Sequence, residues 1–204
     1  MSVSQSKALK QLKALKKNSS YMRLAAESWD GDWKILVATI LSARTRDEMT
    51  IPIATELFSK YKSIDKLSRA KITDIEKIIR PINFYKNKAK NVLNCAKTLV
   101  KEYEGKVPKK IEYLVKLPGV GRKTANVFLS ENGQSAIGVD THVSYISRKL
   151  GWTKYEDAEK IERDIQELFP KRYWKKINPV LVRFGKTHTS RKRKDSILAE
   201  IRKI

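Results

Sequence analysis

The sequence predicts an all-α protein. Apolar residues recur at spacings of three and four through most of the 204 residues. Capping residues, glycines and prolines punctuate these runs where helices should begin and end. No convincing strand, internal repeat or Gly/Ser linker interrupts them.

Each helix has its own local signature. Leu9, Leu12 and Leu15 alternate with lysines and predict a short amphipathic helix. Asp32 is placed to cap residues 33–43, which are apolar almost all round and so belong in a core. Residues 49–61 follow as a helix, with Pro52 tolerable in its first turn. Ser63 or Asp65 starts a short helix around Leu67. Thr73 can cap residues 74–79, and Pro81 blocks a smooth continuation. Residues 85–104 form the longest helix, with Ala89, Val92, Leu93, Ala96, Leu99 and Val100 on one face and Gly105 as its stop. Residues 109–117 and 122–131 flank a turn at 118–121. Asp140 opens a helix that ends near Gly151, residues 155–169 are amphipathic up to Pro170, and a last helix falls within 173–184.

Composition narrows the function. Lys plus Arg is 44 against 22 for Asp plus Glu, a formal net charge of +22. That excludes an ordinary acidic enzyme and points to a polyanionic partner. Residues 1–28 carry +5 and residues 171–204 carry +10, which leaves +7 for the 142 residues between them. If the chain ends meet, they make a basic lobe (1–28 with 135–204) beside a more balanced central lobe (29–134), with a cleft suited to a nucleic-acid backbone. Solvated lysine-rich faces are the alternative reading. The single cysteine, Cys95, allows no intramolecular disulfide and no all-cysteine zinc or iron–sulfur site within one chain. The longest strongly apolar run, 35–41, is far short of a membrane span, and the first ten residues hold no apolar signal core. A monomeric, intracellular protein of the cytoplasm or nucleoid is expected, with no membrane partner.

The most informative stretch is Leu117-Pro118-Gly119-Val120-Gly121-Arg122-Lys123-Thr124-Ala125-Asn126. Pro118 cannot continue the preceding helix, and Gly119 and Gly121 permit positive φ and close backbone approach. The next helix starts at once, so its first N–H groups and positive dipole end offer an anion site. A DNA phosphate fits there without sequence readout, through Gly119, Val120, Gly121, Arg122 and Thr124. A plain turn between packed helices is the alternative. Lys123 lies in that first turn, where a cation works against the helix dipole. Its uncharged amine is a nucleophile able to form a Schiff base; a phosphate-binding lysine is the competing role.

Val139-Asp140-Thr141-His142 is the second constellation. Asp140 is a good N-cap. A helix over 122–132 is roughly 16 Å long at ~1.5 Å per residue. The seven residues 133–139 span up to about 23 Å, so the chain can return to the start of that helix. Lys123 and Asp140 can then serve one cationic sugar centre. His142 reads as a packed or phosphate-touching histidine.

Taken together, Leu117–Asn126 followed by Val139–His142 resembles the helix-hairpin-helix DNA glycosylases of the endonuclease III type. Ile40-Leu41-Ser42-Ala43 with Asp47, and Tyr85 with Lys88-Ala89, are similar too. The resemblance runs from about Trp33 to Leu150, with helical correspondence on to Gly185. It implies two helical lobes flanking a DNA-binding cleft, with the helix-hairpin-helix at about 109–131 in a six-helix central lobe. It further implies excision of a damaged base flipped from double-stranded DNA. Lys123 would attack the deoxyribose C1′, Asp140 would assist, and β-elimination would break the strand. Arg44 would fill the gap left by the flipped base and Phe84 would wedge between bases; a phosphate-binding arginine and a buried phenylalanine are the alternatives. A monovalent cation held by the backbone carbonyls of Val115, Leu117 and Val120 is also implied, with no side-chain metal site.

The resemblance fails at the carboxy terminus. That family usually carries four cysteines for a [4Fe–4S] cluster after the position of Gly185, where this chain reads Lys186-Thr187-His188-Thr189-Ser190-Arg191-Lys192-Arg193-Lys194. No cofactor and no cluster are expected. Ile197, Leu198, Ile201 and Ile204 would fix the end by packing, while the basic run would contact phosphates or trail as a disordered tail. The expected activity is removal of oxidised pyrimidines with cleavage at the abasic site. The same fold acting on 8-oxoguanine, or on mismatched or deaminated uracil or thymine, is one alternative. A non-catalytic DNA-binding module, which needs no Asp140, is another.

Overall fold

The computed structural model describes residues 3–204. All regular structure among them is helical, in twelve α-helices and one 3-10 segment. No helix among these residues is long and apolar enough to cross a membrane. The chain divides into two compact units.

The unit Arg23–Asn132 holds α2 (Asp32–Ser42), α3 (Asp47–Lys60), α4 (Ile64–Ser68), α5 (Ile72–Ile79), α6 (Tyr85–Tyr103), α7 (Ile111–Leu114) and α8 (Arg122–Glu131). Residues 36–41 of α2 are buried without a break, which is what an all-round apolar sequence predicts. α2 is the unit's central rod, packed against α3, α6 and α8. Trp29 and Trp33 both meet the Phe58 ring edge-on, at 4.9 and 5.1 Å between centroids. The favoured geometry of such pairs helps fix the chain entering α2.

Several helix starts differ from their sequence signatures. Asp32 is the first residue of α2, not its cap, which is Gly31 at φ 107°. Its carboxylate pairs instead with Lys109 at 3.0 Å on the surface. α3 begins at Asp47, so Pro52 lies inside the helix beyond the first turn and removes one backbone hydrogen bond. Ser63, not Asp65, caps α4 through its hydroxyl, and Thr73 lies within α5.

One buried cation ties two helices together. Lys88 of α6 is 6% exposed, and its Nζ donates to the Leu41 carbonyl at 2.7 Å, the Ala43 carbonyl at 2.6 Å and the Thr45 hydroxyl at 3.0 Å. These acceptors lie at the carboxy end of α2, where carbonyls lack helical partners and the dipole favours a cation. Burial pulls its ammonium down to about 8.

The other unit joins residues 3–22 to Gly133–Ile204. It contains α1 (Gln5–Lys17), α9 (Thr141–Leu150), α10 (Ala158–Leu168), α11 (Trp174–Thr187) and α12 (Arg191–Lys203), with the 3-10 segment Lys171–Tyr173. Both chain ends therefore share one core, in which Leu15, Ile146, Phe169, Leu181 and Phe184 are buried. The Trp152 indole donates to the Gln11 side-chain oxygen at 2.6 Å, linking α1 to the segment after α9. The charge is shared more evenly than the termini suggest. This unit's sequence carries 22 basic against 9 acidic residues, and the other carries 22 against 13. Six of the nine acids lie within residues 156–167, which fold together with the basic ends.

The carboxy-terminal tail is not disordered. It forms α12, whose Leu198 is 1% and Ile201 3% exposed in the core, with Ile197 packed beside them and Ile204 left exposed. Asp195 of α12 accepts hydrogen bonds from the Tyr145 hydroxyl and, at 3.0 Å, from Lys149, both on α9.

Leu198→Ala is expected to destabilise the protein by about 2–5 kcal/mol through cavity formation, read as a lower urea midpoint. An unchanged midpoint would mean that α12 contributes no packing. Lys88 gives a pH signature. Its folded-state value, about 8, lies below the ordinary 10.5, so unfolding takes up a proton between those values. The Lys88 contribution to stability therefore rises with pH across that window, and Lys88→Met should remove the rise from a series of unfolding curves.

Candidate functional site

The hairpin is built by steric exclusion. After α7, the Leu117 carbonyl accepts the Val120 N–H at 3.1 Å and closes the turn. Gly119 sits at φ +78°, where an L side chain is strained. A Cβ there would lie 2.8 Å from the Asn91 Cβ on α6. Gly121 differs from its sequence reading. It is at φ −89°, with nothing within 4 Å of a would-be Cβ, so neither backbone nor internal packing requires glycine there. What its missing side chain leaves open is space outside the protein, next to the start of α8.

α8 begins with no side-chain cap and no acidic residue in its first turn. Gly119, Gly121 and Arg122 are exposed. Val120 and Thr124 are buried, and the Val120 N–H is taken by the turn, so of these two only the Thr124 main chain is left to a phosphate, which corrects the expected part of Val120. Lys123 is half-buried in the first turn of α8. Val115 is exposed, Leu117 buried, and the Leu117 carbonyl is already engaged by the turn.

Asp140, in the other unit, caps α9 by accepting the Val143 N–H on one carboxylate oxygen at 2.9 Å. Its ordinary capping role is thus present, and its second oxygen is a further acceptor. His142, half-buried, packs against the backbone of α11. A Cβ at Gly185 would stand 2.1 Å from its Nδ1. The glycine of α11 is what makes room for that imidazole.

Arg44 and Phe84 are brought together. Both hold left-handed backbone, at φ 55° and 59°, a conformation that is uncommon and costly for such residues. The Arg44 guanidinium lies over the Phe84 ring, 5.0 Å from its centroid. Phe84 is 58% exposed, which removes the reading of a buried phenylalanine. Two residues to which the sequence reading gave no role hold this pair. They are Lys88, described above, and Asn83, whose amide donates to the Arg44 carbonyl at 2.7 Å. The available signal for Lys88 was a lysine on the apolar face of α6, beside Ala89 and Val92.

A four-thiolate cluster does not fit these residues. The one cysteine, Cys95, is buried in α6 of the unit Arg23–Asn132, with its thiol pushed up to about 12 by burial. The stretch that follows Gly185 continues α11 and then forms α12, and it contains no cysteine.

Known proteins are similar to this chain in sequence and fold. The sequence pattern of the family described as HhH-GPD superfamily base excision DNA repair protein matches residues 37–171. Endonuclease III of Thermotoga maritima is 41% identical over 155 residues, covering 76% of this chain and 73% of that one. Endonuclease III of Bacillus subtilis is 37% identical over 158 residues, covering 76% and 72%. The solved structure of a trapped endonuclease III–DNA covalent intermediate matches with a TM-score of 0.83 at 31% identity, covering 92% of this chain and 89% of that one. The matched family segment contains the hairpin, both helix starts and most of the helical core, and on that match the chain belongs to the HhH-GPD superfamily of base excision DNA repair proteins.

Proposed function

We propose that this protein is a bifunctional DNA glycosylase and abasic-site lyase acting on oxidised pyrimidines in double-stranded DNA. The observation that carries this reading is a lysine in the first turn of an uncapped helix directly after a glycine hairpin. The uncapped start of α8 and the open space at Gly121 suit a DNA phosphate held by main-chain N–H groups. Arg44 and Phe84 suit insertion into the duplex, where they take the place of a flipped base.

The chemistry follows from the amine. The lone pair of Lys123 Nζ bonds to C1′ of the flipped nucleotide while the C1′–N bond breaks and the base departs with that electron pair. The nitrogen gives up a proton, and opening of the sugar ring yields an iminium linkage. Removal of a C2′ proton then expels the 3′ phosphate, and water hydrolyses the linkage to restore the lysine. Asp140 takes the lysine proton or steadies the positive sugar centre, through the oxygen that does not cap α9. The solved endonuclease III trapped covalently on DNA supports a covalent step for relatives of this chain. The same Lys–Asp pair suits 8-oxoguanine enzymes, so the lesion preference is decided by a substrate panel.

Borohydride should trap the wild type on an abasic-site duplex, and Lys123→Gln should abolish trapping while DNA binding persists. Undiminished trapping in that variant would remove Lys123 from the reaction. Asp140→Asn is expected to slow base release by about 10²–10⁴-fold, the usual contribution of an acid–base group. Single-lesion duplexes carrying an oxidised pyrimidine, 8-oxoguanine, uracil or thymine should give fastest turnover on the first. Affinity for duplex should fall with salt with a log–log slope of several units; a flat response would contradict phosphate-dominated binding.

A further inference from the structure

Arg44 and Phe84 each hold a left-handed backbone that is unfavourable for an L side chain, and both are exposed, so little burial offsets that cost. Such conformations persist only where surrounding bonds over-determine them. Those bonds come from one place, the amino end of α6. The Lys88 ammonium has three donors and three acceptors: the Leu41 carbonyl, the Ala43 carbonyl immediately before Arg44, and the Thr45 hydroxyl immediately after it. Asn83 donates to the carbonyl of Arg44 itself. The Lys88 N–H in turn donates to the Phe84 carbonyl at 3.0 Å, which seats Phe84 at the start of α6. Asn83 and Lys88 thus lie on either side of Phe84 in sequence, and both grip the loop of Arg44. The guanidinium-over-ring contact joins the two tips.

We propose that Lys88 is a positioning residue for lesion recognition: with Asn83 it locks Arg44 against Phe84, so that the two enter DNA as one pre-formed wedge. This rests on the reading, given above, that Arg44 and Phe84 occupy the gap left by a flipped base. A wedge ordered before binding does not lose loop and side-chain freedom when it inserts, and the saving appears as tighter binding wherever insertion occurs. It does not appear in binding to an intact duplex, where backbone phosphates dominate. Lys88 therefore acts on the ratio of the two affinities and not on phosphate contact.

The test measures affinity for a duplex containing a tetrahydrofuran abasic analogue and for the matched intact duplex, and takes their ratio. Arg44→Ala and Phe84→Ala should lower the ratio. Lys88→Met should lower it by about tenfold, or ~1.4 kcal/mol, and Asn83→Ala should lower it by less. In an Arg44→Ala background, Lys88→Met should add nothing further, because it acts only through that residue. An unchanged ratio in Arg44→Ala would overturn the wedge reading and this inference with it. A lowered ratio there, with Lys88→Met and Asn83→Ala both unchanged, would overturn the inference alone. Additive losses in the double variant would also overturn it, since a lysine that merely supports folding acts independently of Arg44. If Lys88→Met does not fold, the exposed Asn83→Ala carries the same two comparisons in its place.

Discussion

A side chain at position 119 has no room, because the hairpin backbone presses against Asn91 of α6. That contact fixes where the turn lies on the longest helix, and therefore where α8 begins and where Lys123 stands. Three residues earlier on α6, Lys88 holds the carboxy end of α2 and the loop of Arg44. Residues 88 and 91 are three apart, on neighbouring positions of one helix surface. One helix thus positions both the loop proposed to enter DNA and the turn proposed to grip its backbone. Displacing α6 would disturb both together.

Lys88 shows how a buried charge can be tolerated without an opposite charge. Its burial weakens the ammonium, yet two carbonyls and a hydroxyl take its donors, and the helix end supplies partial negative charge. An apolar residue would remove the desolvation cost but leave the carbonyls at 41 and 43 without this partner.

The carboxy terminus solves a different problem. The resemblance in sequence implies a metal cluster in this region, and this chain has no cysteine there. It ends instead in a helix with Leu198 and Ile201 inserted in the core and Asp195 bonded to Tyr145 and Lys149 of α9. Packing and a polar network hold this end of the chain. The basic residues of the Arg191–Lys194 run lie on the first turns of that helix, so their directions are set by α12 and not by a flexible tail.

The helices themselves were legible in the sequence, because the spacing of apolar residues is a property of the chain alone. So was the hairpin, since Pro118, Gly119 and an immediate helix start leave few conformations open. Lys123 and Asp140 stood out for the same reason: each sits at a helix start that its neighbours announce. What the sequence did not reveal depended on residues far apart in the chain. Asp32 and Thr73 carry side chains able to cap, but α2 and α5 begin before or at them, with Gly31 and Lys71 in the cap positions. At the last helix the packing of Leu198 and Ile201 was legible, but the helix that carries them was not, because the basic run at its start also reads as solvated chain. Lys88 gave only the weak signal of a lysine on the apolar face of a helix, with nothing to say what it would bind. Only the fold brings the carbonyls at 41 and 43 within reach of its amine, across more than 40 positions of sequence. Local periodicity fixes secondary structure, whereas a hydrogen-bonding partner that distant exists only after the chain has closed on itself.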